Sequence, residues 1–250
     1  MIKIFTVYFD GKYTPDYVEK LWNGLKRNCT LPFEFICYSD NPNVKADRVI
    51  PLPNPKHTPI KKHWHKMSVF SPLFGYQNPD DEIIIMDIDQ IILGNIDHII
   101  GKPVGKNQII SYKKWWGFDN LPLNGGFYKF KSGGACKQIW QEFLKCPEDW
   151  QLHYFKKMTV HYKYFGEQNF VHRCVEKFNI DLITLPGNQI CKITNDKKQN
   201  MEVSLEYMKR YNADYMILDK PHPDIKIIHF ANPHTTIHES EYEWIKDYWK

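Results

Sequence analysis

The chain has six cysteines among 250 residues but no Cys-x-x-Cys pair, and their spacing fits no tetrahedral zinc set. Free thiols are therefore expected, rather than a disulfide framework or a structural zinc. Runs of about 18 apolar residues are absent, so no membrane-spanning helix is expected. The opening "MIKIFTVYFDG" turns polar too early for a secretory leader, and the expected location is cytoplasmic. Basic clusters are missing too. Lys and Arg are scattered apart from pairs such as Lys61-Lys62, and the net charge of +4 suits an anionic substrate but not a nucleic-acid partner. Internal repeats, linkers and low-complexity segments are also absent, and the length suits one domain over residues 1–250 with ample core.

What is present alternates between two periodicities. Residues 2–9, "IKIFTVYF", read as a first strand ending at the turn signal Asp10-Gly11. Thr14-Pro15-Asp16 opens an amphipathic helix to about Asn28, with Tyr17, Leu21, Trp22 and Leu25 at helical spacing. Residues 33–40 form a second strand, and the prolines of 51–59 an extended loop. A helix is predicted over 64–74, then strands over 82–89, 108–112 and 123–130. Helices over 134–145 and 166–178, strands over 181–186 and 226–230, and a C-terminal helix over about 239–249 complete the pattern. Strands alternating with helices predict an α/β, mostly parallel, three-layer domain.

The stretch "EIIIMDIDQIIL", residues 82–93, carries the chemical signal. A buried carboxylate without a partner costs several kcal/mol or more, yet Asp87 and Asp89 follow a run of core-strand residues. In an extended chain, residues two apart share a face. That places both carboxylates at the carboxyl end of a central strand, where open α/β sheets take their ligands. A divalent cation with a preference for oxygen, Mn²⁺ or Mg²⁺, removes their mutual repulsion. The plainer reading is a strand-end turn with two solvated aspartates.

Around this motif lie "WHKMSVFSPLF" (64–74), "LNGGFYKF" (123–130), "GEQNFV" (166–171) and "IIHFANP" (227–233). The ordered set, spanning about residues 2–235, resembles the GT-A-fold glycosyltransferases, in particular family 8 and related short bacterial and viral enzymes. The resemblance implies a three-layer α/β/α domain with a mostly parallel, mixed sheet. It also implies transfer of a hexose from a nucleotide sugar, UDP-linked by analogy, to a hydroxyl on a glycan, protein or lipid-linked acceptor, with retention of configuration.

By the same resemblance, Asp87, Asp89 and His229 would hold Mn²⁺ (or Mg²⁺), with Asp87 also facing the donor. Lys66 would contact phosphate. Asn124, Gly125 and Gly126 would approach the sugar, and Tyr8 and Asp10 the base and ribose. Glu167 and Gln168 would form the catalytic pair, with Glu167 orienting the sugar or accepting a proton and Gln168 beside the anomeric carbon. Family members often carry Gly-x-Pro-Lys after the late histidine; here Pro233 is followed by His234, a departure that leaves one phosphate contact to His234. Each residue has an ordinary alternative: Lys66 as a solvated lysine, Asn124-Gly125 as turn chemistry, Glu167 as a helix N-terminal acid, Tyr8 and the pair Trp115-Trp116 as core. The aromatic tail "YEWIKDYW" would dock on the domain, or touch a membrane if the acceptor is lipid-linked.

Other classes share parts of the pattern. Haloacid-dehalogenase-type phosphatases also use Asp-x-Asp after an apolar strand, but on the first core strand, with Thr or Val where this chain has Ile91, and with a later acidic pair that does not fit here. A nucleotidyltransferase would need a Gly-rich basic signature near the N-terminus. A non-catalytic, carbohydrate-binding relative would not need Asp87, Asp89 and His229 intact.

Overall fold

The computed structural model describes residues 1–52, 60–112, 122–156, 166–185, 189–193, 224–230, 236–240 and 242–250. Their strands form a seven-stranded sheet in the order β3-β2-β1-β4-β7-β6-β8. These are β1 (Ile2–Val7), β2 (Phe33–Tyr38), β3 (Arg48–Ile50), β4 (Glu82–Met86), β6 (Gln108–Tyr112), β7 (Phe127–Lys131) and β8 (Asp181–Leu185). Neighbouring pairs run parallel except where β7 meets β4 and β6. Three further strands, β5 (Gln90–Ile92), β9 (Ile190–Ile193) and β10 (Ile227–Phe230), make a small second sheet in the order β5-β10-β9.

The pleat of β4 distributes its apolar run to both faces. Ile84 and Met86 join the core beneath α1 (Asp16–Asn28) and the small sheet, whereas Ile83 and Ile85 join the opposite core. The first core also takes Ile99 and Ile100 of the short α2 (Asp97–Ile100). The second packs beneath a 3₁₀ helix (Lys62–Phe70), α3 (Lys137–Phe143) and α5 (Gly166–Lys177), with Trp150 of α4 (Pro147–Lys156) against it. Helix α1 forms as its pattern predicts, burying Tyr17, Val18, Leu21 and Leu25. Asp16 and Glu19 in its first turn and Lys26 and Arg27 in its last oppose the helix dipole. The cysteines whose side chains are described are free thiols, four of them buried.

Helix α4 was not expected, the strand over 82–89 stops at Met86, and three further elements differ from the sequence expectation. The helix over 64–74 is a 3₁₀ helix ending at Phe70. Ser68 Oγ donates to the His65 carbonyl at 2.6 Å, competing with the regular ladder, and Pro72 forces Ser71 into extended backbone. The strand over 123–130 begins only at Phe127, because the Asn124 side chain takes the Gly126 N–H at 2.8 Å and folds 124–126 into a turn. The helix over 239–249 is instead a 3₁₀ turn (Ile237–Glu239), closed by a Thr236–Glu239 capping box, and a short α6 (Ile245–Tyr248). Extended backbone at Ser240 separates them, so that Tyr242, Ile245 and Trp249 can all bury against the first core.

Candidate active site

Strand β4 ends at Met86, so Asp87, Ile88 and Asp89 lie on the turn that leads into β5. The two carboxylates do converge, but through this turn rather than through strand alternation. The Asp87 N–H still continues the β4–β7 ladder, donating to Gly126 O at 3.2 Å. Beyond it the chain changes layers. Asp87 faces the 3₁₀ helix and α5, while Asp89 faces α1 and the small sheet.

On the Asp87 side, Lys66 is buried, with its ammonium 2.8 Å from Asp87 Oδ1, 2.7 Å from Glu167 Oε1 and 3.0 Å from Gly125 O. Three donors meet three acceptors, which is the full capacity of an ammonium. Glu167 Oε2 lies 3.9 Å from His63 Nε2. Burial pushes the Asp87 carboxyl above the ordinary carboxylate range; Lys66 pulls the other way, and the Asp89 charge adds to the rise. At Glu167 burial also pushes upward, but Lys66 and His63 outweigh it and the pKa falls. The Lys66 ammonium is raised, its carboxylate partners overcoming the effect of burial.

On the Asp89 side, antiparallel pairing sets His229 of β10 opposite Gln90, the residue after Asp89. His229 Nε2 lies 3.5 Å from Asp89 Oδ1. The other oxygen, Oδ2, accepts the Tyr13 hydroxyl at 2.8 Å. One ligand atom each from Asp87, Asp89 and His229 all lie within 4.8 Å of one another. Two carboxylates and an imidazole at that separation form a donor set that Mn²⁺ accepts.

Gly125 and Gly126 floor the site, and neither has the positive φ that demands glycine. Space is the reason for both. A Cβ on Gly125 would come within 2.3 Å of Glu167 Oε1; one on Gly126 would lie 2.8 Å from the Tyr112 hydroxyl and 3.0 Å from His229 Cε1. Gln168 Oε1 accepts the Gly125 N–H at 3.1 Å, which ties the start of α5 to the same turn.

Asp87, Asp89, Lys66, Asn124, Gly125, Gly126, Glu167, Gln168 and His229 are thus gathered at one edge of the main sheet. Tyr8 has its ring buried in the first core. Its hydroxyl lies within bonding distance of Asp10 Oδ1 (3.2 Å) and Tyr13 O (3.0 Å), while Asp10 is exposed and also accepts from Asn41. Burial, with Asp10 adding to it, pushes the Tyr8 phenol up to about 12. His234, Trp115 and Trp116 lie outside the described residues. Sequence reasoning passed over Tyr13, His63 and Tyr112. Tyr13 in "GKYTP" was within reach of inference, because β1 runs parallel to β4 and the loop after it must border the turn at 87–89.

No protein-family model matches the chain, and no curated protein matches it in sequence. Solved structures do share its fold. Glycosyltransferase GlyE of Streptococcus pneumoniae TIGR4 superposes with a TM-score of 0.61 at 11% identity, over 99% of this chain and 59% of that one. LgtC, described as a galactosyltransferase in complex with donor and acceptor sugar analogues, gives 0.53 at 10% identity, over 93% and 88%. WbbM, a bifunctional glycosyltransferase, gives 0.51 at 9%, over 92% and 46%. The chain therefore spans just over half the length of GlyE, and its architecture is that of the GT-A glycosyltransferases.

Proposed function

We propose that this GT-A domain is a metal-dependent glycosyltransferase that moves a hexose from a nucleotide sugar, UDP-linked by analogy, to a hydroxyl acceptor on a glycan, protein or lipid. One observation carries the reading: Asp87, Asp89 and His229 each bring a ligand atom within 4.8 Å of the others at the end of β4. Among the described residues, Asp87, Asp89 and Glu167 share one buried ammonium, that of Lys66, while the exposed Lys12 also acts on Asp89. A divalent cation would offset the acidity that remains. The phosphatase alternative loses its ground with the fold.

Asp87, Asp89 and His229 are the residues that would hold Mn²⁺ or Mg²⁺. Once bound, the ion stabilises negative charge developing on the departing diphosphate. The phosphate contact expected of Lys66 gives way to a part played through its neighbours: with its three donors on Asp87, Glu167 and Gly125, it locks both carboxylates in place. Glu167, kept ionised by Lys66, is placed to orient a sugar hydroxyl or accept its proton. Gln168, fixed by Gly125, stands beside it at the start of α5. A solved LgtC variant carries glutamate at an active-site glutamine, which supports a glutamine in such a role. Tyr8 is assigned a supporting part, holding the loop of Asp10 and Tyr13 at the nucleotide end. His234 remains the candidate phosphate contact following β10. Retention of configuration is part of the proposal, as is action in the cytoplasm; no helix among the described residues is long and apolar enough to cross a membrane.

The test is a panel of nucleotide sugars assayed for hydrolysis and transfer with and without Mn²⁺, repeated on Asp89→Ala. Turnover that needs both the ion and Asp89 is expected. Turnover indifferent to both defeats the assignment.

A further inference from the structure

We propose that Tyr112 and Asn124 are positioning residues that hold His229 with its proton on Nδ1, so that Nε2 presents an electron pair toward Asp89. The consequence for metal binding rests on the function proposed above; the proton placement does not.

The chain of donors begins at a group whose role is unambiguous. The Gly126 backbone N–H can only donate, and its partner 2.8 Å away is Asn124 Oδ1. That end of the amide is therefore the oxygen, an acceptor only. Asn124 Oδ1 also lies 2.8 Å from the Tyr112 hydroxyl, so the single phenolic hydrogen points to Asn124. The Tyr112 oxygen is in turn 2.8 Å from His229 Nδ1 and must accept from it. The proton thus resides on Nδ1, and in the neutral ring Nε2 carries no hydrogen, 3.5 Å from Asp89 Oδ1. The opposite tautomer would turn the Tyr112 hydrogen onto Nδ1. Two oxygens, Tyr112 Oη and Asn124 Oδ1, would then sit 2.8 Å apart with no hydrogen between them.

The relay is built to stay in that state. Tyr112 and Asn124 are 1% and 5% exposed, which keeps competing water away. Ser111 Oγ accepts the Asn124 N–H and donates to its carbonyl oxygen, both at 3.1 Å, fixing the start of the relay to the end of β6. Gly126 leaves the room that the Tyr112 hydroxyl and the His229 ring occupy. A metal-binding imidazole whose second nitrogen is held by a protein acceptor is a better-oriented ligand, and loss of such a partner typically weakens metal binding about 10- to 100-fold.

The experiment is nitrogen NMR of the metal-free protein with labelled histidine, at a pH where the imidazole is neutral, together with Mn²⁺ calorimetry on wild type and Tyr112→Phe. Wild-type His229 is expected as the Nδ1–H tautomer. Tyr112→Phe should shift it toward Nε2–H, which can bond Asp89, and should weaken Mn²⁺ by about tenfold or more. A wild-type spectrum showing Nε2–H overturns the proposal without any variant, so a poorly folding variant does not shield it. A folded Tyr112→Phe with tautomer and affinity unchanged overturns it as well. If wild type binds no Mn²⁺, the metal reading fails by itself, and the tautomer still decides the relay.

Discussion

Strand β4 carries an acidic pair at each end, and the two are treated oppositely. At its start, Asp81 lies 2.9 Å from Lys3, and Glu82 lies 2.6 Å from Lys129 and 3.5 Å from Lys131. With the Met1 α-ammonium, 3.3 Å from Asp81, four ammonium groups answer two carboxylates, and Lys129 is fully buried among them. At its finish, Asp87 and Asp89, with Glu167 beside them, meet one buried ammonium among the described residues, Lys66, with the exposed Lys12 acting on Asp89. The direction of the pKa shifts follows. At Asp81 burial pushes upward, but the Asn78 N–H and Lys3 overcome it and the pKa falls; at Asp87 burial and Asp89 prevail and it rises. Acidity neutralised by the protein itself supports the fold. Acidity left over is what the proposed metal ion would answer.

The widest separation between the two ends should come from Asp89→Ala. Transfer with Mn²⁺ is expected to fall about 10³-fold, a loss of the several kcal/mol a metal ion supplies, whereas Asp81→Asn leaves turnover close to wild type. Equal losses in steady-state assays of the two variants would erase the distinction. Next is Lys3→Met, which leaves the buried Asp81 only the Asn78 N–H and the Met1 α-ammonium and should cost about 2 kcal/mol in urea denaturation, with Mn²⁺ affinity unchanged. Gly126→Ala tests the site's floor: overpacking against Tyr112 and His229 should cost about 1–3 kcal/mol and, unlike Lys3→Met, weaken Mn²⁺ in calorimetry.

Acidity should sharpen the contrast further. A lowered carboxylate contributes stability that is complete above its unfolded value, near pH 4, and is lost as pH falls through the lower folded value. Asp81→Asn should therefore flatten the acid limb of the stability curve. For Asp87, raised in the native state, the sign reverses. Its native proton is retained as pH climbs above about 4, so Mn²⁺ must displace it, and affinity should increase with pH through that interval, with proton uptake by the buffer as the calorimetric signature. The smallest effect belongs to Lys131→Ala. Its ammonium is partly exposed, so stability should move by less than about 1 kcal/mol in the same urea series.

Much of this was legible in residue order. The apolar run of 83–86, the amphipathic pattern of 16–28 and the "QIISY" and "KIIHF" segments all became the expected elements, because burial on one face or two leaves a periodic trace. The ten-residue α4, whose apolar positions make only a weak stripe, was not foreseen, nor were the shortest elements. Three-residue β3 and β5 and four-residue α2 hold too few positions for a period to show. The 3₁₀ helix at 62–70 and the broken C-terminal helix departed from expectation where side chains such as Ser68 and Asn124, or burial of scattered aromatics, outweighed local helix or strand preference. Within the site, Asp87 and Asp89 stood out as carboxylates after a core strand, while Tyr112 looked like any aromatic closing a strand.

The order of residues by itself determined that this is an α/β domain whose central strand ends in acid, because hydrophobic periodicity and the cost of burying charge are local properties of the chain. Tertiary structure alone decided how that acid is used. Antiparallel pairing of β10 with β5 brings His229 alongside Asp89 from about 140 residues away. Packing of the 3₁₀ helix and α5 onto β4 delivers Lys66 and Glu167 to Asp87. Electrostatic balance depends on distances of a few ångströms between distant segments, and the chain acquires those distances only when its layers close.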